Sequence, residues 1–176
     1  MKITLPDYKK IASEVERKKT EVTSEEIKKL KAEKERMEKE KVRMEILNKI
    51  TQGAEIELPQ HLIVAEQERM LQGLKVQVPQ ILGVSFEDYL KKIKQTEREL
   101  ADSFLLEAQK RVENFLVLKA IGEKESVGAS DEEIKNEMDR ISQNYPETGK
   151  LDQGQLKEYA KEVICNEKTF QFLENL

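Results

Sequence analysis

Four times along the chain a serine or threonine stands three residues ahead of an acid, at the head of a stretch with helical spacing. The four pairs are Thr23–Glu26, Ser85–Asp88, Thr96–Glu99 and Ser130–Glu133. In each, the hydroxyl is placed to accept from an orphan backbone N–H of the first helical turn. The acid reaches back toward the cap and is favoured by the positive end of the helix dipole. So many helix starts, with so little strand alternation between them, predict an all-α fold. Long, charged helices offer no obvious place for a catalytic pocket, and function is expected to lie in surfaces.

Composition narrows the function classes. Of 176 residues, 38% are charged and 38% hydrophobic, but only 5% are aromatic and Trp is absent. Large rings fill cores efficiently, so their scarcity predicts thin helix–helix contacts. A formal charge of −4 gives little net attraction for phosphate backbones, and no nucleic-acid partner is expected. No apolar run approaches the ~20 residues needed to span a bilayer, so no membrane partner is expected either. Met1–Pro6 lacks the apolar stretch of a secretory signal, and the single cysteine, Cys165, rules out an internal disulfide. The expected compartment is the cytoplasm.

The chain reads as three stretches, with residues 1–176 expected to form one structural unit. Residues 1–22, with Ile3, Leu5 and Pro6, suggest an extended linker segment. Residues 23–52 read as one long charged helix: 21–45 hold eight acids and eight bases. Pairs such as Glu35–Lys39 and Lys41–Glu45 lie one turn apart and add a few tenths of a kcal/mol each. A buried face emerges only with Ile46, Leu47 and Ile50. From Gly53 to residue 176 a helical body is expected. A helix opens at Pro59, carries Ile63, Met70, Leu71, Leu74 and Val78, and breaks at Pro79. A short amphipathic helix follows from Ser85 to about Gln95. The strongest periodicity runs over 97–121, where Leu100, Phe104, Leu105, Ala108, Val112, Phe115 and Leu116 recur at three- and four-residue steps. Ile134, Met138 and Ile141 belong to a further helix ending at Tyr145–Pro146, and Leu156 to Leu173 to a last one.

Reactive constellations are missing. His61 has no second histidine or cysteine nearby, whereas a zinc site needs more ligands. Cys165 has no histidine to activate it. The seven glycines form neither GxxxxGK[ST] nor GxGxxG, and the abundant acid pairs read as solvated helix faces. No catalytic residue, metal or cofactor is expected.

One resemblance adds to this. Arg43–Ile50, Ala54-Glu-Ile-Glu-Leu-Pro-Gln-His-Leu-Ile63 and Glu66-Gln-Glu-Arg-Met-Leu71 resemble the C-terminal domain of bacterial trigger factor. The likeness continues through Ser85-Phe-Glu-Asp-Tyr-Leu90, Thr96-Glu-Arg-Glu-Leu100, Ala108–Val112, Leu116–Ile121 and Ser130–Ile134. Leu5-Pro-Asp-Tyr-Lys9 and Val22–Ile27 resemble the stretch that joins that family's other two domains. The family's ribosome-docking loop of Gly-Phe-Arg type has no counterpart here. Between Ile27 and Arg43 there is only the charged helix where an FKBP-like isomerase would lie. Isomerase turnover and classical ribosome docking are therefore not expected.

The resemblance implies an elongated helical body with projecting arms, similar also to the helical part of the periplasmic chaperone SurA. It implies an ATP-independent chaperone, a holdase, with unfolded or nascent polypeptides as partners and room for a weak homodimer. Dispersed apolar patches would hold the client, with Met70, Leu74, Val78, Phe115, Leu118, Ile121, Met138, Ile141 and Tyr145 as the expected contacts. The alternatives are a helical adaptor with one specific partner, a SurA-like periplasmic chaperone, and a prolyl isomerase.

Overall fold

The computed structural model describes residues 3–15, 25–144 and 152–176. Among these, the elements run in the order β1 (Ile3–Thr4), α1 (Tyr8–Glu14), α2 (Glu25–Gln52), β2 (Glu55–Ile56) and α3 (Gln60–Leu82). They continue as α4 (Phe86–Ile93), α5 (Glu97–Ser103), α6 (Leu105–Lys124), α7 (Asp131–Asn144) and α8 (Gln153–Glu174). The fold is all-α: the only sheet among the described residues is the two-stranded β1–β2 ladder.

The N-terminal segment is extended only at its start. The Asp7 carboxylate accepts from the Lys10 N–H at 3.2 Å and caps α1. Tyr8, Ala12 and Val15, three and four residues apart, are buried on one face. Helical spacing thus takes over from the weak alternation just after Pro6. Thr23, the first of the four cap residues, lies outside the described residues.

Helix α2 ends at Gln52, before Gly53, whose N–H donates to the Ile50 carbonyl. Its described side chains are mostly exposed as far as Lys41, and burial starts with Ile46, Leu47 and Ile50.

Pro79 does not break α3. The helix carries it inside and runs another turn to Leu82, where Gly83 at φ +64° turns the chain and donates to the Pro79 carbonyl. A proline removes the N–H that would bond the carbonyl four residues back, yet α3 continues past it. The left-handed glycine is the true stop.

The 97–121 stripe is likewise two helices. Phe104 ends α5, its N–H donating to the Ala101 and Asp102 carbonyls, and its own carbonyl then accepts from Ala108 at 2.8 Å. Leu100, Ala108, Val112 and Leu116 are buried, while Leu105 and Phe115 are exposed.

The chain divides into two compact units, one of residues 1–3 with 55–116, the other of 4–54 with 117–176. The stretch from Gly53 onward contributes to both. In the first, α3 packs with α4 and α5, and Ile63, Leu71, Val78, Leu100, Ala108 and Val112 form the interior. In the second, α8 packs with α7, α1 and α2. There Ile46, Ile50, Ile121, Leu173 and Thr169 are almost wholly enclosed.

Charge closes the α2–α8 contact. Arg43 donates bidentately to Glu167, at 2.7 Å for each bond, and through Nε to Glu174 at 2.7 Å. Its guanidinium also lies 5.2 Å from the centre of the Phe170 ring. These bonds hold Glu167 down to about 2, the hydrogen bonds from Arg43 being the main cause. Tyr8 is pushed the other way, to about 12, by its burial and then by its 2.6 Å hydrogen bond to Glu125.

Candidate functional site: a groove beside α3

The face of α3 turned toward α4 and α5 does not close. Met70, Gly73, Leu74 and Gln77 are spaced at three and four residues and line one wall of a groove of about 450 Å³. Tyr89 of α4 and Leu100 and Phe104 of α5 and its C-cap supply the other apolar surface. Arg69 and Arg111 complete the lining. Met70, Leu74, Tyr89 and Phe104 are only half-buried, whereas Leu100 is buried.

Each wall is fixed locally. Helix α4 starts at Ser85, whose hydroxyl accepts from the Asp88 N–H at 3.1 Å, and stops at Lys94, in the left-handed region at φ +55°. The Ser85 hydroxyl and Lys91 hold the Asp88 carboxyl below its ordinary range. None of α4's residues is buried, so Phe86, Tyr89, Leu90 and Ile93 keep part of their apolar surface in water. Helix α5 opens with the complete capping box expected at Thr96–Glu99: the hydroxyl accepts from Glu99 N–H at 3.2 Å and the carboxylate from Thr96 N–H at 2.8 Å. Those bonds hold Glu99 below its usual value. Gln67 reaches from α3 to the Ala101 carbonyl at 2.9 Å, and Lys75 to Glu97 at 2.6 Å, setting the α3–α5 separation.

Glu66 accepts from Arg69 at 2.7 and 2.8 Å and lies 3.6 Å from Arg111, which also bonds Glu107 at 3.1 Å. The lining holds both guanidiniums and no carboxylate. Further apolar side chains lie open on the same unit: Val76, Ile81 at 75% exposure, Leu82, and Leu106 at 78%.

The residues expected to touch clients separate sharply. Met70 and Leu74 line the groove, and Phe115 is exposed at 38%. Val78 is buried one turn beyond Leu74. Leu118, Ile121 and Ile141 are interior residues of the other unit, and Met138 is partly covered against Ile134, Ile141, Leu156 and Ala160. Tyr145 lies outside the described residues. As the structure stands, the four buried side chains offer no surface to a partner. Residue periodicity missed Gly73, Tyr89, Leu100 and Phe104 as groove residues. The Met70, Gly73, Leu74, Gln77 spacing was a readable signal, but a stripe does not say which neighbour leaves it uncovered.

A second cavity, of about 490 Å³, lies in the other unit between α6 and α8 and is lined by Lys119, Glu123, Lys161, Glu162 and Cys165 among others. Its walls alternate in charge. The half-buried Cys165 thiol points to the Val127 carbonyl at 3.9 Å. His61, on the first turn of α3, is exposed. Among the described residues, no three His, Cys, Asp or Glu side chains lie where they could share a metal ion. Nor is any helix there long and apolar enough to cross a membrane.

The described residues thus form an all-α chain with a half-open groove on one of its two units. More narrowly, residues 20–174 match the family described as bacterial trigger factor protein (TF) C-terminus, and the chain belongs to that family, a chaperone family. It is 32% identical to the trigger factor of Pelotomaculum thermopropionicum over 151 residues, 82% of this chain and 34% of that one. Against the trigger factor of Halothermothrix orenii it is 36% identical over 139 residues, 76% of this chain and 32% of the relative. The Bacillus subtilis trigger factor is 34% identical over 125 residues, covering 71% and 29%. The chain thus spans about a third of the length of these relatives. No solved structure matches it.

Proposed function

We propose that this chain acts in the cytoplasm as an ATP-independent holdase, taking up unfolded or nascent polypeptides on separated apolar patches, without catalysis. The observation that carries this reading is the groove beside α3, where Met70, Leu74, Tyr89 and Phe104 remain half-open to water in a folded unit. Burying one aromatic side chain removes roughly 150–250 Å² from water. At roughly 25 cal/mol per Å² that gives about 4–6 kcal/mol gross. Ordering the client takes back much of it, so one patch binds weakly and releases without nucleotide. Several patches together hold a client, and Phe115, Ile81 and Leu106 supply further surface. Met70 adds an unbranched, polarisable side chain that adapts to varied occupants.

The test is suppression of aggregation of a chemically denatured client at stoichiometric amounts, without nucleotide, by the wild type and by Met70→Ser with Leu74→Ser. The wild type is expected to suppress aggregation, and the double variant to lose most of that while keeping its helical content and unfolding midpoint. No suppression by the wild type would defeat the reading, as would full suppression by the variant. Capture of one native partner in place of many unfolded ones would favour an adaptor.

A further inference from the structure

We propose that α4 is a displaceable lid of the α3 groove. It lies on α3 as an intramolecular occupant, swings away as an intact helix, and yields its place to a bound non-native segment. This rests on the reading of the groove as a polypeptide-binding surface.

The hydrogen bonds and ion pairs that α4 makes among the described residues all stay within residues 85–95. The Ser85 hydroxyl meets the Asp88 N–H and carboxylate, and Asp88 accepts from Lys91 at 3.1 Å. At the other end the Lys94 N–H donates to the Lys91 carbonyl and the Gln95 N–H to that of Leu90. Helix α5 is held differently. Gln67 of α3 donates to the Ala101 carbonyl at 2.9 Å, and Lys75 to Glu97 at 2.6 Å. What joins α4 to α3 is packing along one face and the Lys75 ammonium, 5.6 Å from the centre of the Phe86 ring. The helix can therefore leave α3 without breaking a hydrogen bond, the mark of a segment that opens at low free energy.

That face carries Phe86, Tyr89, Leu90 and Ile93 at helical spacing. All four are half-buried, and every other residue of α4 is exposed. The Phe86 and Tyr89 rings stack with centres 6.3 Å apart, so this contact too travels with the helix. Eight residues are too few to stay helical alone in water, and α4 persists only while its stripe is partly covered. An amphipathic segment laid by one apolar stripe in a helix-lined groove is also a general mode of peptide binding. Tyr89 lines the same groove as Met70, Leu74 and Phe104, so α4 and a client compete for one surface.

The joints are visible in the backbone. Gly83 at φ +64° and Lys94 at φ +55° bracket the helix, each a single left-handed residue. Glycine takes that conformation freely, whereas the Lys94 side chain makes it strained. Strain at Lys94 thus opposes closure, and Lys75 over Phe86 favours it, with Glu97 steadying the ammonium.

The experiment pairs amide hydrogen exchange of the full chain with binding of a fluorescent unstructured peptide rich in Phe and Leu. Amides of α4 should exchange at least about 100-fold faster than those in the middle of α3, with little dependence on urea. The variants are Phe86→Ser, Lys75→Gln, Lys75→Arg and Leu74→Ser. Phe86 and Lys75 lie outside the groove lining, so changing them removes no wall. Phe86→Ser should speed α4 exchange about tenfold. It should tighten peptide binding by up to the same factor, because apparent affinity follows the open fraction. Lys75→Gln should do the same by about two- to fivefold, Lys75→Arg should match the wild type, and the urea midpoints should stay unchanged. Amides of α4 protected as well as those of α3 would show a fixed wall and overturn the proposal. Unchanged or weaker binding by Phe86→Ser, with weak binding by Leu74→Ser, would overturn it too and leave the groove reading standing. A global midpoint that falls in step with the faster exchange would mean α4 opens only with its whole unit, and would also overturn it. If Leu74→Ser binds as the wild type does, the groove reading falls and the lid with it.

Discussion

Two mid-helix glycines in this chain make opposite demands. At Gly122 of α6, an added Cβ would lie 2.7 Å from the Thr169 Oγ1. Thr169 is almost fully enclosed and its hydroxyl donates to the Cys165 carbonyl at 2.8 Å. A β-branched side chain has little rotamer freedom in a helix, so it yields only by giving up that bond or by moving α8. Gly122→Ala is therefore expected to destabilise by about 1–3 kcal/mol, the usual scale of overpacking, read from urea unfolding. Adding Thr169→Ala should return part of the loss, a coupling expected of residues in contact. Gly73→Ala should instead stabilise by up to about 1 kcal/mol, because the helix gains alanine's propensity and nothing is displaced. If the two variants shift stability in the same direction, the difference in their surroundings is not what governs them.

At the scale of elements, helix ends carry much of the specification. The Thr96–Glu99 box is complete, and Thr96→Ala is expected to cost about 1 kcal/mol, read as a lower unfolding midpoint of the groove-bearing unit. Ser85, Thr96 and Ser130 were all legible as caps because capping is a local agreement between neighbours. At Ser130, the Glu133 carboxylate accepts from the Ser130 N–H at 2.8 Å, as the spacing required. What was not legible depended on remote neighbours. The repeat from Leu100 to Leu116 continues at fours across Phe104, so periodicity could not reveal that the helix stops and restarts there. Leu118 and Ile121 looked like the open end of an apolar helix, and packing within their unit buries them. Met70 and Leu74 look no different in sequence, yet the neighbours of α3 leave them uncovered. Arg43 is a like case. On a helix of alternating charges it reads as one more solvated cation, but its side chain is only 13% exposed and serves two acids on α8. Arg43→Met is expected to cost about 2 kcal/mol, since the charge-assisted bonds are lost and leave Glu174 to Lys39 and Glu167 to Gln171 alone. A change within 0.3 kcal/mol would mean water replaces the guanidinium without penalty.

Across the whole molecule, these charge contacts add to how stability responds to acid, beside Asp88, Glu99 and Glu125, whose carboxyls are also held low. Glu167 is held at about 2 chiefly by the Arg43 hydrogen bonds, and Glu133 at about 2 chiefly by Lys168, with help from the Ser130 cap. Both carboxyls ordinarily titrate at 4.5. Their folded-state values are lowered, so the folded form binds fewer protons than the unfolded one wherever the two titrations differ. Stability then rises with pH through that window. The contribution is fully present above about 4.5 and is lost as pH falls toward 2. Both side chains are about half-exposed and screened by solvent and salt, which limits the size of the effect. Both also belong to the unit of residues 4–54 and 117–176, so acid should weaken that unit's helices. Urea midpoints measured from pH 7 to 2.5 are expected to hold nearly level down to about 5 and then fall. In Arg43→Met combined with Glu133→Gln the starting stability is lower, but the fall below pH 5 should be visibly shallower, because both depressed titrations are gone. An equally steep fall in the double variant would place the acid sensitivity in other carboxylates and remove these two contacts as its source.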